Sequence, residues 1–94
     1  MREDIKEAID HITTIMVGGL VKRRDEGIEL ERHERNFWSK LKKRIPEEVA
    51  KAMEEKPEEE ASQQKFQEAL AEQMNAQNVK MSVVAFLFNK GIEL

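Results

Sequence analysis

Two histidines are the natural candidates for general-base or metal chemistry. Each has a glutamate four residues ahead of it: Glu7 with His11, and Glu29 with His33. Residues four apart on a helix share a face. Two such pairs on neighbouring helices would offer carboxylate and imidazole ligands to one metal ion. The carboxylate-rich di-iron bundles instead use Glu-x-x-His, with further glutamates facing inward, and neither histidine here has a Glu three residues before it. Glutamate is abundant along the whole chain, so a solvated ion pair is the simpler reading of both pairs. The expectation is therefore no metal and no cofactor.

Nucleophilic catalysis needs an activated Ser, Thr or Cys beside a base. There is no Cys, which also excludes disulfides and thiolate zinc sites. Ser39, Ser62, Ser82, Thr13 and Thr14 sit in no nucleophile-elbow context. The paired acids Glu47-Glu48, Glu54-Glu55 and Glu58–Glu60 fall in runs that read as solvated faces and helix starts. Gly18-Gly19 fits neither a phosphate loop nor a dinucleotide fingerprint. No set of residues can be given catalytic roles, and the expectation is that the protein is not an enzyme.

The charges are unevenly distributed. Residues 22–44 hold nine bases and five acids, whereas residues 46–74 hold nine acids and three bases, within a chain whose net charge is only −3. Complementary halves of this kind pair internally or face partners. In the basic segment Arg32, Arg35, Lys42 and Lys43 fall along one side of a helix, the kind of set that contacts phosphates, and Trp38 is a candidate for stacking on a base. Against a nucleic-acid role stand the interleaved Glu29, Glu31 and Glu34 and the acidic balance of the whole chain. Bases at 40–44 also complement the dipole at a helix C-terminus.

The elements that must position these residues read as helices. With 39% hydrophobic and 37% charged residues, four Gly, two Pro and no Tyr, the composition favours helix over sheet. Ile5, Ala8, Ile9, Ile12, Ile15, Met16 and Leu20 recur at spacings of three and four, the stripe of an amphipathic helix begun at Asp4. At Gly18-Gly19 that helix either weakens or breaks, or a neighbour crosses closely; Leu20 keeps the stripe in phase. Leu30, His33 or Glu34, Phe37, Leu41 and Ile45 mark a second helix, widened by Trp38 and ended before Pro46. Pro46-Glu47-Glu48 and Pro57-Glu58-Glu59 are two helix-start signals, giving either one kinked helix or a tight pair. A stop at Asn75–Asn78 precedes a last helix, with Ser82 as its N-cap and Gly91 just past its end.

The reading is an all-α bundle of four to five helices in one domain spanning residues 1–94, or a fragment of a longer protein. Its last helix, around Val83–Phe88, is apolar on all sides and so is expected to be buried on all sides, as the bundle's centre or under a second subunit. The functional expectation is a non-enzymatic protein–protein interaction or oligomerisation module, an adaptor or inhibitor of a larger assembly. Its expected contacts are Phe37, Trp38, Leu41, Val83, Phe86 and Leu87, with Arg32, Arg35, Lys42 and Lys43 facing Glu55, Glu58 and Glu59 of a partner or second copy. The alternative is a small helical subunit that binds nucleic acid through residues 22–44. The N-terminus lacks a signal-peptide pattern and no stretch reaches membrane-spanning length, so a cytoplasmic location is expected.

Overall fold

The computed structural model describes residues 3–92, which form five helices and no strand: α1 (Glu3–Glu26), α2 (Arg32–Lys42), α3 (Glu47–Glu55), α4 (Glu60–Gln73) and α5 (Gln77–Asn89). The predicted all-α bundle is thus the observed architecture. The radius of gyration is 12.3 Å, close to the ~12 Å of one packed globule of this length. Helix α1 is the spine: α3, α4 and α5 all pack against it, α4 also packs on α3, and α2 packs mainly on α5.

The stripe of α1 is the core side of that spine, with Ala8, Ile9, Ile12, Met16 and Leu20 buried. Asp4 lies inside the first turn rather than at the cap. The helix runs unbroken through Gly18-Gly19. Gly18 faces open space, but a Cβ on Gly19 would stand 2.6 Å from Cδ2 of Leu30. A close crossing therefore explains the second glycine, and the shared core stripe carries the helix past both. Gly27, with φ +69°, ends the helix in the left-handed conformation that glycine adopts without strain. The chain then turns back so that Leu30 lies on Gly19.

In α2 the backbone N–H of Glu31 donates to Oε1 of Glu34 at 3.0 Å, satisfying a donor at the helix start. Oε2 of the same carboxylate lies 3.1 Å from Nζ of Lys90, past the end of α5. These two partners explain a buried glutamate on the apolar face. Pro46 is the N-cap of α3, one position before the first helical residue. At Lys56 (φ −135°, ψ 56°) the chain leaves helical geometry, so α3 and α4 are a tight pair rather than one kinked helix. Pro57 is buried at the corner, and its carbonyl accepts a hydrogen bond from Gln63 Nε2 at 3.0 Å.

The start of the last helix needs correction. Ser82 is not its N-cap; α5 begins at Gln77 after Ala76, and Ser82 Oγ donates to the Asn78 carbonyl in mid-helix at 2.9 Å. Val79 explains the earlier start, because it extends the buried side of α5 by a turn. Asn78 is already helical, and its Oδ1 accepts the first-turn N–H of Val79 at 2.9 Å, which also donates to the Ala76 carbonyl at 3.1 Å. At the other end Gly91 has φ +77°. Its N–H donates to the Phe88 carbonyl at 2.9 Å and that of Ile92 to the Leu87 carbonyl at 3.0 Å. This is the Schellman arrangement expected of a glycine past a helix end. Leu94, the terminus noted in the sequence, lies outside the described residues.

The expectation that α5 is buried on every side does not hold. Val79, Val83, Phe86 and Leu87 face the core, while Met81, Val84, Ala85 and Phe88 face outward. Helix α5 is an outer helix resting on α1 and α2, and α1 takes the central place. No helix among the described residues is long and apolar enough to cross a membrane.

Candidate interaction surface

All six apolar residues expected to contact a partner are covered by the chain's own helices. Phe37, Trp38, Leu41, Val83, Phe86 and Leu87 belong to one continuous core. The rings of Phe37 and Phe86 stack with centroids 4.5 Å apart, joining α2 to α5. Trp38 tilts against Phe66 at 6.0 Å, and its indole N–H donates to Oε1 of Glu54 at 2.9 Å. A buried indole held in this way cannot stack on a base. Apolar residues at helical spacing were read as contact surface; their physical role is to close the bundle.

The charged halves meet within the chain at several points. Lys42 Nζ lies 2.8 Å from the same Glu54 oxygen, so α2 is tied to α3 through one carboxylate. Burial works to raise the pKa of Glu54. The hydrogen bonds from Lys42 and Trp38, with the charges of Lys42 and Arg23, outweigh it and hold the carboxyl below its usual range. Arg24 reaches Glu58 at 2.6 Å and the Glu55 carbonyl at 3.1 Å. Its hydrogen bond is the main reason that Glu58 is also depressed. Arg35, in α2, pairs at 3.3 Å with Glu29, which precedes the helix. Two of the four bases expected to face a partner, Arg35 and Lys42, are thus paired at home, and Glu58 is taken by Arg24.

The Glu-x-x-x-His pairs do not assemble either. Glu29 precedes α2 and turns to Arg35, while His33 Nε2 sits 3.6 Å from Glu31 and has no hydrogen-bond partner among the described residues. The ring packs on Phe86 at 5.7 Å. Among the described residues no three His, Asp or Glu side chains converge in a cluster able to hold a metal ion.

The outer side of α5 was not singled out in the sequence, and it is the surface that stands out. Met81, Val84 and Phe88 are 61%, 48% and 77% exposed, and they follow one another at intervals of three and four residues. The row forms an apolar ridge on a single helix. Beside it runs a shallow depression between α2 and α5, flanked by His33, Asn36, Lys40, Ser82, Ala85 and Asn89. That depression continues past Lys40 to Lys43, Arg44 and Asn78, near the start of α5. Lys80 lies along the ridge itself. Lys40, Lys43, Arg44 and Lys80 make no ion pair among the described residues, and no Asp or Glu lines these adjoining surfaces. The polar residues Gln77, Lys80 and Asn89, interrupting an otherwise apolar segment, are the signal that could have marked this side as outward.

Compared with known protein families, curated proteins and solved structures, the chain matches none.

Proposed function

We propose that this chain is a non-enzymatic protein–protein interaction module that docks a partner through the outer side of α5. One observation carries the reading: Met81, Val84 and Phe88 form an exposed apolar row on a helix whose opposite side is fully occupied by the core. Single exposed apolar residues are ordinary on any protein, whereas a contiguous row rimmed by polar groups is a mark of association surfaces. The expected contacts move accordingly from the core residues of α2 and α5 to Met81, Val84 and Phe88.

The test is selection of binders from a helical-peptide display library against the whole chain, followed by amide-shift mapping. Supporting binders perturb residues 81–88 and lose affinity for Phe88→Glu, a substitution at an exposed site that leaves the fold intact. Binders that map elsewhere, or that bind Phe88→Glu undiminished, overturn the reading.

A second reading has its own observation: Lys43 is one of several unpaired, exposed bases at the end of α2, with Lys40 and Arg44 beside it. As a nucleic-acid contact this patch gives binding that weakens steeply with salt, with a shallower slope in Lys43→Ala/Arg44→Ala. Absence of RNA or DNA binding at low salt eliminates it.

A further inference from the structure

We infer that the occupant of the α5 surface is an acidic amphipathic helix of another protein. Its apolar side would lie along Met81, Val84 and Phe88, with its carboxylates toward Lys40, Lys43, Arg44 and Lys80. The inference rests on the docking reading above and adds the chemistry of the partner.

Three observations carry it. The first is charge. The chain has 19 acids against 16 bases, yet the ridge and the depressions beside it gather four bases with no acid. Elsewhere some bases are met by carboxylates of the chain itself, as at Arg24 with Glu58, Lys42 with Glu54 and Lys90 with Glu34. A partner carrying negative charge would complement this rim, and complementary rims set which partner is accepted.

The second is shape. From Met81 to Phe88 the apolar row advances by three and four residues. At about 1.5 Å per residue it runs roughly 10 Å, or two helical turns. A straight apolar ridge with a parallel depression matches the apolar face of another helix, which is read at the same spacings. A contact along one short helix side makes for a weak and exchangeable association.

The third excludes a second copy. Two α5 ridges packed about a two-fold axis would place Lys80 and the Lys40–Arg44 group of both molecules around one seam. No carboxylate of either copy lines that seam, so self-pairing there concentrates like charge. Nucleic acid would use the Phe88 ring at most and leave the rest of the row without a role: Trp38 is buried, and Met81 and Val84 offer no ring to stack on a base.

The experiment titrates the isotope-labelled whole chain with two synthetic two-heptad peptides that share one leucine stripe. One is flanked by glutamates and the other by lysines. The glutamate peptide should bind about tenfold tighter at low salt, the ratio that a few rim charges supply. It should perturb residues 81–88 together with Lys40, Lys43 and Arg44. The preference should shrink as salt rises and reverse in Lys40→Glu/Lys43→Glu/Arg44→Glu, whose sites are all exposed. Equal affinity of the two peptides for the ridge overturns the acidic partner and leaves the docking surface standing. If neither peptide perturbs the ridge, the docking reading falls as well. Stronger binding of phosphatidylserine vesicles through the same residues assigns the surface to lipid, and a concentration-dependent dimer lost in Phe88→Glu assigns it to a second copy; either result overturns the inference.

Discussion

Replacing Phe86 and Phe88 separately with alanine tests whether α5 has one working side or two. The residues are two apart in sequence and nearly opposite on the helix. Phe86 is 3% exposed and stacks on Phe37 at 4.5 Å, with His33 tilted against its other side at 5.7 Å. Phe88 is 77% exposed. Truncating a buried phenylalanine costs about 3–5 kcal/mol through lost transfer energy and the cavity left behind. A chain of this length has a total stability of about 5–14 kcal/mol, so Phe86→Ala should remove about a fifth of it or more. Phe88→Ala should stay within about 0.5 kcal/mol of the parent. Urea denaturation followed by Trp38 emission is the natural assay, because the only tryptophan is buried in the same core. Phe86→Leu, a milder overall change, keeps the comparison measurable if Phe86→Ala does not fold. Comparable losses at 86 and 88 would refute the argument. So would a large loss at 88 that grows with protein concentration, because α5 would then be covered in the free protein.

Two further substitutions separate effects that sequence reading merges. Gly18→Ala should stabilise by about 1 kcal/mol, since alanine is the better helix former and a Cβ there meets nothing within 4 Å. Gly19→Ala gains the same propensity but drives a Cβ to 2.6 Å from Leu30, and overpacking of about 1–3 kcal/mol makes it neutral to destabilising; equal stabilisation by the two in urea melts would show that nothing crosses at Gly19. Glu54→Gln should be less stable than the parent near neutral pH, because the folded carboxyl titrates below its usual range. The contribution of the charged form is present above the unfolded pKa and is lost as pH falls through the folded one, so the two proteins should converge in acid. A gap that does not narrow at all as pH is lowered from neutral through the acid range would mean that Glu54 acts through shape rather than charge.

The helices were legible because their signals are local. The α1 stripe, Pro46 at the start of α3 and Gly91 after α5 each reflect a constraint within a few residues of chain, whereas Pro57 stands in the corner and α4 starts only at Glu60. What escaped depends on which elements meet. Nothing local says that Leu30 will lie on Gly19, or that Glu34 will be buried because Lys90 comes to it from another helix. The same holds for Glu54, read as part of a solvated acidic run, which receives both the Trp38 indole and the Lys42 ammonium. The surface was misplaced for a related reason. Apolar periodicity shows that a side must be covered without saying by what, so Phe37, Trp38 and Leu41 serve equally well as core or contact. In an almost wholly apolar helix the stripe has no contrast. Only the scattered polar residues Gln77, Lys80 and Asn89 betray the outward side.

That outward side is where the demands of folding and the composition part. The bundle needs Val79, Val83, Phe86 and Leu87, which are enough to hold α5 on α1 and α2. It needs nothing apolar at 81, 84 or 88: a lysine or glutamine there would keep the helix and improve solubility. The same holds for the bases at the end of α2. One or two would complement the helix dipole, but Lys40, Lys43 and Arg44 together with Lys80, without a carboxylate among them, exceed that requirement. Where residues serve no purpose inside the molecule, their chemistry answers to something outside it. On the reading proposed above, an apolar row and an unopposed positive rim on the same surface suit a chain that is apolar along one edge and negative beside it.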